Sequence, residues 1–233
     1  MKAHIEKSIF FEAARRLPSL PEEPLRLTGH SYRVDLLAGG EVDSFAGWVV
    51  DYADLKIFFE PVRKQLDHCL LDDLPGLESD TTPENIRLWI EEQLRPWPHW
   101  FEGVRVMMLG DGKFAPVLAP ADPWLGAPER WIFTFAAAQA LPQLPESHPC
   151  HRLHGHTYQA EVAATDLTEL GQQLEALHHL LHDTFINETP GLERATCEQI
   201  SAWIWRYLEA QGIQPTLVAL QETPKNRCIY RGE

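Results

Sequence analysis

The chain is short of positive charge: 20 Lys and Arg stand against 34 Asp and Glu in 233 residues, a formal net charge of −14. A partner bound through a phosphate backbone needs a basic stripe, and an anionic membrane surface needs a basic face. Neither is present, so no nucleic-acid or membrane partner is expected. An anionic small molecule stays open, because a few local Arg side chains or helix N-termini can hold one. Long apolar runs are also missing, so no membrane-spanning helix is expected. Residues 1–11 mix charged and apolar side chains, unlike a secretory signal, and a cytoplasmic protein is expected. Cysteine is scarce: Cys69, Cys150, Cys197 and Cys228 form no CxxC pair, which points to reduced thiols. What the chain has is 44% hydrophobic residues, enough for a real core, in a length that fits one large domain or two small ones.

Self-comparison decides between those two. Phe11-Glu-Ala-Ala-Arg-Arg-Leu-Pro18 matches Phe135-Ala-Ala-Ala-Gln-Ala-Leu-Pro142, and Arg26-Leu-Thr-Gly-His-Ser-Tyr32 matches Arg152-Leu-His-Gly-His-Thr-Tyr158. Pro75-Gly-Leu-Glu78 recurs as Pro190-Gly-Leu-Glu193, and Thr82, Glu84, Ile86 and Trp89 recur as Thr196, Glu198, Ile200 and Trp203. Four blocks in one order mark a tandem duplication. Residues 115–128 hold Pro116, Pro120, Pro123 and Pro128 and read as a linker rather than a strand or helix. The expected domains are 1–118 and 129–233, with the boundary near 120–128.

Each copy reads as strand, strand, helix, helix, strand. Strands are expected at 10–16 and 30–37, with a further one at 47–51. Leu55, Phe58, Phe59, Val62 and Leu66 recur at helical spacing across 52–66. Thr82 is a plausible N-cap before Pro83 for a second helix towards Leu94, and 104–109 closes the unit as a strand. The second copy repeats this with helices near 170–181 and 197–208 and strands near 217–222 and 228–230. The hairpin around 39–48 has no full counterpart after Ala163. The Trp and Leu residues of the helices read as core.

The most reactive stretch is Cys150-His-Arg-Leu-His154-Gly-His156. Strand side chains alternate, so His154 and His156 share a face and could ligate Zn²⁺ if a third ligand arrives from a neighbouring strand. A structural pair of histidines fits the bare His-x-His as well. The order Ala-Ala-x-x-Leu-Pro, Cys-x-Arg-Leu-His-Gly-His, Pro-Gly-Leu-Glu, Gln221-Glu222-Thr223 and Cys228-Ile-Tyr-Arg-Gly-Glu233 resembles the 6-carboxytetrahydropterin and 6-pyruvoyltetrahydropterin synthases. The likeness covers nearly the whole chain twice, and the C-terminal copy carries it better.

This resemblance implies an α+β fold: two tandem tunnelling-fold (T-fold) units, each an antiparallel sheet with two helices on one face, assembling into a ring or barrel. It also implies a Zn²⁺ cofactor held by three histidines, a cysteine that exchanges protons with an Asp-His pair, and a glutamate that anchors a pterin ring. Carried over by position, Cys150 is the proton-transfer cysteine, His154 and His156 are metal ligands, and Glu222 is the pterin anchor. Gln139 stands at the first metal histidine, and an amide oxygen is a poor Zn²⁺ ligand, so the third ligand is Gln139 or a nearby His, His148 or His151. The Asp-His pair is reversed as His182-Asp183. In the N-terminal copy Arg15 and Thr28 replace two metal histidines, only His30 remains, Glu22-Glu-Pro-Leu25 has no cysteine, and Val106-Met-Met-Leu109 has no glutamate. That copy keeps Asp67-His68 in the family's order. The complementary absences suggest one composite site, in which Asp67 and His68 of one copy face Cys150, His154, His156 and Glu222 of another. An ordinary helix-end pair also accounts for Asp67 and His68.

Sheet edges must be paired somewhere, so a homo-oligomer is expected. A ring alternating N and C copies would let two chains form a four-domain barrel, whereas three chains stacking one ring of each copy would separate them. By resemblance the expected activity is a carbon–carbon lyase that converts dihydroneopterin triphosphate to 6-carboxytetrahydropterin in queuosine-type biosynthesis. A pterin-binding protein without catalysis and a 6-pyruvoyltetrahydropterin synthase-like activity are the alternatives.

Overall fold

The structure is a computed structural model of the chain, and it describes residues 1–17, 26–110, 113–124, 126–223 and 225–232. The first copy runs β1 (Lys2–Arg16), β2 (Leu27–Glu41), α1 (Tyr52–Leu66), β3 (Cys69–Leu70), α2 (Pro83–Gln93) and β4 (Phe101–Met108). The second runs β5 (Val117–Ala119), β6 (Arg130–Gln139), β7 (His154–Ala164), α3 (Leu167–Leu181), β8 (Thr184–Phe185), α4 (Cys197–Ala210), β9 (Pro215–Thr223) and β10 (Asn226–Tyr230). The first sheet has the order β3-β1-β2-β4 and the second β10-β9-β7-β6-β5, with β8 beside β6. All pairings are antiparallel except β1/β3 and β6/β8. The architecture is α+β, as expected.

The helices form where caps and apolar spacing agree. Asp51 caps α1 by accepting from the Ala53 N–H, and Leu55, Phe59, Val62 and Leu66 turn one face to the sheet. Thr82 and Thr196 cap α2 and α4. Asp166 caps α3 through the Thr168 and Glu169 N–H groups, which starts that helix three residues before the expected 170. Two separate cores result. Phe11, Tyr32, Leu36, Leu55, Phe59 and Ile86 lie in one, and Phe135, Tyr158, Val162, Leu170, Leu174 and Ile200 in the other.

The repeat is visible atom by atom. Phe11 stacks on Tyr32 at 4.7 Å, and Phe135 on Tyr158 at 4.8 Å. The indole of Trp89 donates to the Pro75 carbonyl, and that of Trp203 to the Pro190 carbonyl. The Pro-Gly-Leu-Glu blocks are matching turns in which Gly76 and Gly191 adopt φ +96 and +86, and Glu78 and Glu193 accept the glycine N–H.

Three expectations are corrected. Residues 47–51 are not a strand: the Asp43 carboxylate takes the Phe45 and Ala46 N–H groups and its carbonyl takes that of Gly47, so a turn consumes those donors instead of a ladder. The proline-rich connection is not wholly irregular, because Val117–Ala119 lies between its prolines and pairs with β6. The first hairpin is longer than expected, since β1 begins at Lys2 and continues on its exposed face as an alternating strand. The segment 22–25 lies outside the described residues. Among the described residues no helix is long and apolar enough to cross a membrane.

Candidate active site

The two halves cross at a pair of matched glycines. A Cβ placed on Gly29 would sit 2.2 Å from the Gly155 Cα, and the reverse holds for Gly155. Beside them the Ser31 N–H donates to Thr157 Oγ1 and the Thr157 N–H to Ser31 Oγ, both at 3.2 Å. Arg26 donates to the Asp183 carbonyl and Arg152 to the Asp67 carbonyl. Ser31 and Thr157, which match, thus exchange contacts, and each Arg reaches the segment that follows the other half's first helix. Each half therefore presents the end of its first helix to the other half's central strand.

At one crossing this places Asp67 and His68 against β7. The α1 helix stops at Leu66, and His68 then takes φ 56, a left-handed conformation uncommon for a residue with a Cβ. Its N–H is held by the Glu12 carbonyl at 2.7 Å. His68 Nδ1 lies 3.1 Å from Asp67 Oδ1, and its Nε2 lies 3.6 Å from Cys150 Sγ. Asp67 is fixed in turn by the Glu12 N–H at 3.0 Å and by Arg63 at 2.8 Å. The chain Asp67, His68, Cys150 runs from the first copy into the second.

Behind it stand the two imidazoles of β7. His154 Nδ1 lies 2.7 Å from the Arg152 carbonyl, so its Nδ1 carries the hydrogen and its Nε2 keeps a lone pair, and His156 Nδ1 lies 2.9 Å from Glu12 Oε2. An outer acceptor fixing the tautomer is the arrangement metal-binding imidazoles take. His156 Nε2 is 3.3 Å from Glu222 Oε1 and has no hydrogen-bond partner. His68, Cys150 and His154 offer donor atoms all within 4.8 Å of one another, so a metal-binding donor set exists.

Gln139 does not join that set. Its Nε2 donates to Glu222 Oε1 at 2.9 Å and lies 3.2 Å from His154 Nε2, while its Oε1 accepts from the buried Tyr158 hydroxyl at 2.6 Å. The amide thus presents N–H rather than oxygen to the imidazole. His148 accepts from the Cys150 N–H, and His151 lies against the Leu144 carbonyl. Gln139, His148 and His151, expected to offer the third ligand, are each engaged with other groups, and the donor atoms nearest His154 are those of Cys150 and His68. The reversed pair is elsewhere too: His182 accepts from the Ala136 N–H, and with Asp183 it acts on His30 at the other crossing.

Glu12 was missed from sequence. It is buried, holds His156 and accepts from Ser31 Oγ at 2.6 Å. The available signal was a carboxylate inside Phe11-Glu-Ala-Ala, where the matching residue is Ala136.

The electrostatics separate the groups. Burial works against charge on His68, but hydrogen bonds to Asp67 and Cys150 outweigh it and lift its pKa to about 9. Burial, then His156, drive His154 down to about 3, and burial, then Arg15, do the same to His30. Burial pushes the Cys69 and Cys197 thiols up to about 12, which leaves them inert.

A pH dependence of stability follows for the metal-free chain. Unfolded histidines take up protons near pH 6.5, whereas His30 and His154 in the fold do so only near 3. Over that window the unfolded state binds more protons, and stability falls as the pH falls. His68 has the opposite sign: its contribution, on the order of 3 kcal/mol, is complete below pH 6.5 and lost as the pH rises through 9. Urea denaturation is expected to show a midpoint maximum near neutrality, and His68→Gln to remove the alkaline decline alone. An unchanged alkaline limb in that variant contradicts the charge assignment.

Beside His68 a cleft of about 480 Å³ is lined by Lys7, Lys56, Arg63, Lys225, Ile9 and Phe10. On a chain of net charge −14 this gathers cationic side chains from both copies around one opening.

A 6-carboxy-5,6,7,8-tetrahydropterin synthase of Synechocystis sp. is 36% identical over 125 residues, 50% of this chain and 96% of the relative. A dihydroneopterin monophosphate aldolase of Pyrococcus furiosus is 37% identical over 95 residues, 41% of this chain and 77% of the relative. Human 6-pyruvoyl tetrahydrobiopterin synthase is 34% identical over 109 residues, 40% of this chain and 75% of the relative. Among solved structures, the Caenorhabditis elegans 6-pyruvoyl tetrahydropterin synthase aligns at 24% identity and a TM-score of 0.38, over 47% of this chain and 97% of its own. The family profile described as 6-pyruvoyl tetrahydropterin synthase matches twice, at residues 4–103 and 130–233. With both halves matched and each half a mainly antiparallel sheet with two helices, this chain belongs to the 6-pyruvoyl tetrahydropterin synthase family as two tandem T-fold units.

Proposed function

We propose that the chain is a carbon–carbon lyase that acts on a phosphorylated reduced pterin, dihydroneopterin triphosphate, and forms 6-carboxytetrahydropterin for queuosine-type deazapurine synthesis in the cytoplasm. The observation that supports the reading is the contact series Asp67, His68, Cys150, with Glu222 Oε1 3.3 Å from His156 Nε2 behind it. On this reading Glu222 accepts from the adjacent N–H donors of the pterin ring, a pairing that only a carboxylate offers twice over. The Cys150 thiol and the His68 imidazole exchange the proton at the substrate's side-chain carbon, and Asp67 stabilises the imidazolium. Lys7, Lys56 and Lys225 give a phosphorylated tail an electrostatic seat. The choice of product rests on the Synechocystis relative and on the closing Cys-Ile-Tyr-Arg-Gly-Glu. A 6-pyruvoyltetrahydropterin synthase-like activity is the alternative product.

Zn²⁺ would be held by His154 with His156, Cys150 or His68 as further donors, and would supply Lewis acidity at the substrate's side-chain oxygens. The edge strands of both sheets support a homo-oligomer.

A second reading, a pterin-binding protein without catalysis, is favoured by the Gln139 amide beside the His154 lone pair. Elemental analysis of purified chain separates the two. The lyase reading expects about one zinc per chain, lost in His154→Ala, and product detected by mass spectrometry. The binding reading expects no zinc and no product. Under both, Glu222→Gln weakens pterin binding by about 10–100-fold, the worth of hydrogen bonds to a charged group. Undiminished binding in that variant removes both.

A further inference from the structure

The pairing of halves that builds the catalytic crossing also builds a second one, and its chemistry differs. Arg15 pairs across the strands with Thr28, as Gln139 does with His154, and His30 and Tyr32 follow at alternate positions on the same face. Thr28 and Tyr32 are fully buried and His30 is 3% exposed. Arg15 Nε, Thr28 Oγ1, both ring nitrogens of His30 and the Tyr32 hydroxyl are buried without hydrogen-bond partners. A buried polar atom that nothing meets is costly to keep. At the catalytic crossing more of the matched groups are met, Tyr158 donating to Gln139 and His156 Nδ1 being held by Glu12, while His156 Nε2 is unmet there as well.

The reason is in the sequence. Ala136 stands where Glu12 stands, so no carboxylate hydrogen-bonds to His30, which feels Asp183 only through space, and Met108 stands where Glu222 stands. Among the described residues no carboxylate pairs with Arg15, and no cluster of potential metal ligands other than His68, Cys150 and His154 is present. What the face offers is a guanidinium, two hydroxyls and one ring N–H, all able to donate. A cation is disfavoured and an acceptor-rich anion is favoured. A cleft of about 460 Å³ lies next to Thr28 in sequence, lined by Arg26 and Leu27 together with Asp183, Thr184, Phe185 and Glu188.

We propose that this second crossing is a binding site for a small ligand carrying an oxyanion, a carboxylate or a phosphate, received by Arg15, Thr28, His30 and Tyr32. With no glutamate at the anchor position, its ligand is recognised by its anionic group and not through a pterin ring. The site is therefore separate from the catalytic one.

The test is nitrogen-detected NMR of full-length chain labelled in its histidine rings, titrated separately with inorganic phosphate and with malonate. Saturable shifts of the His30 ring nitrogens are expected with at least one of them. Shifts with phosphate alone assign a phosphorylated ligand, and shifts with malonate alone a carboxylate. Arg15→Gln should weaken the response about tenfold or more, and Thr28→Val, which conserves volume, should weaken it too. The ligand-free Tyr32→Phe variant should melt no lower than wild type, since it removes an unmet hydroxyl. No His30 shift with either anion overturns the proposal. Equal affinity in Arg15→Gln, or a lower melting temperature in Tyr32→Phe, also overturns it.

Discussion

Replacing His68 with glutamine is expected to lower turnover of the pterin substrate by about 10²–10⁴-fold, the range contributed by a positioned proton-transfer group. Glutamine keeps much of the volume but cannot carry a proton between Asp67 and Cys150, which the imidazole joins at 3.1 and 3.6 Å. Binding of a pterin analogue should be little affected, because the proposed anchor is Glu222. Cys150→Ala should cost as much, and the double variant should be no slower than the worse single one, since the two act as a unit. Asp67→Asn should cost less: the amide oxygen can still accept from the Glu12 N–H, while the Arg63 contact and the negative partner of the imidazolium are lost. Steady-state kinetics decides the matter. Wild-type kcat in the His68 variant would mean that Asp67 and His68 are only a helix-end pair.

Gly29→Ala is expected to destabilise the chain by about 3 kcal/mol or more, at the upper end of the cost of overpacking. The clash is with backbone, at 2.2 Å from the Gly155 Cα and 2.7 Å from the Ala137 carbonyl oxygen, and no rotamer can relieve it. The strands must separate, which breaks the Ser31–Thr157 exchange and draws His68 away from Cys150. Turnover should fall together with stability although Gly29 touches no reacting group. Gly155→Ala should act alike. As a control, Gly47→Ala meets nothing within 4 Å, so its cost is confined to its φ of +79. Thermal unfolding of the three variants, with turnover measured below the transition, tests this. A Gly29→Ala protein as stable and active as wild type would show that the two halves do not need this close approach.

The helices and the repeat were legible because each depends on near neighbours. Capping by Asp51 and Thr82, the Leu55, Phe59, Val62, Leu66 stripe and the Pro-Gly-Leu-Glu turns are local, and they occur twice. The turn at Asp43 was missed because one carboxylate there gathers donors that a strand would have used. The strand at Val117–Ala119 was missed because the prolines around it remove ladder donors only outside those three residues. At the site, the reactive types at Cys150, His154, His156 and Glu222 were readable by position. Glu12 was not, since its partner His156 is 144 residues away. Gln139 was readable as a poor ligand, but its engagement with Glu222 and Tyr158 depends on where β9 lies.

The sequence by itself determined that two copies of one α+β unit follow each other, and which copy lost which chemical groups. Those are properties of side chains and of periodicity along the chain. The tertiary structure alone decided that the remainders meet, with His68 of the first copy against Cys150 and Glu12 against His156 of the second. It also decided that Arg15, Thr28, His30 and Tyr32 face a separate crossing. The physical reason is that two strands far apart in sequence approach to backbone contact only where both lack a Cβ. The geometry of that one crossing, at Gly29 and Gly155, sets which helix end meets which strand.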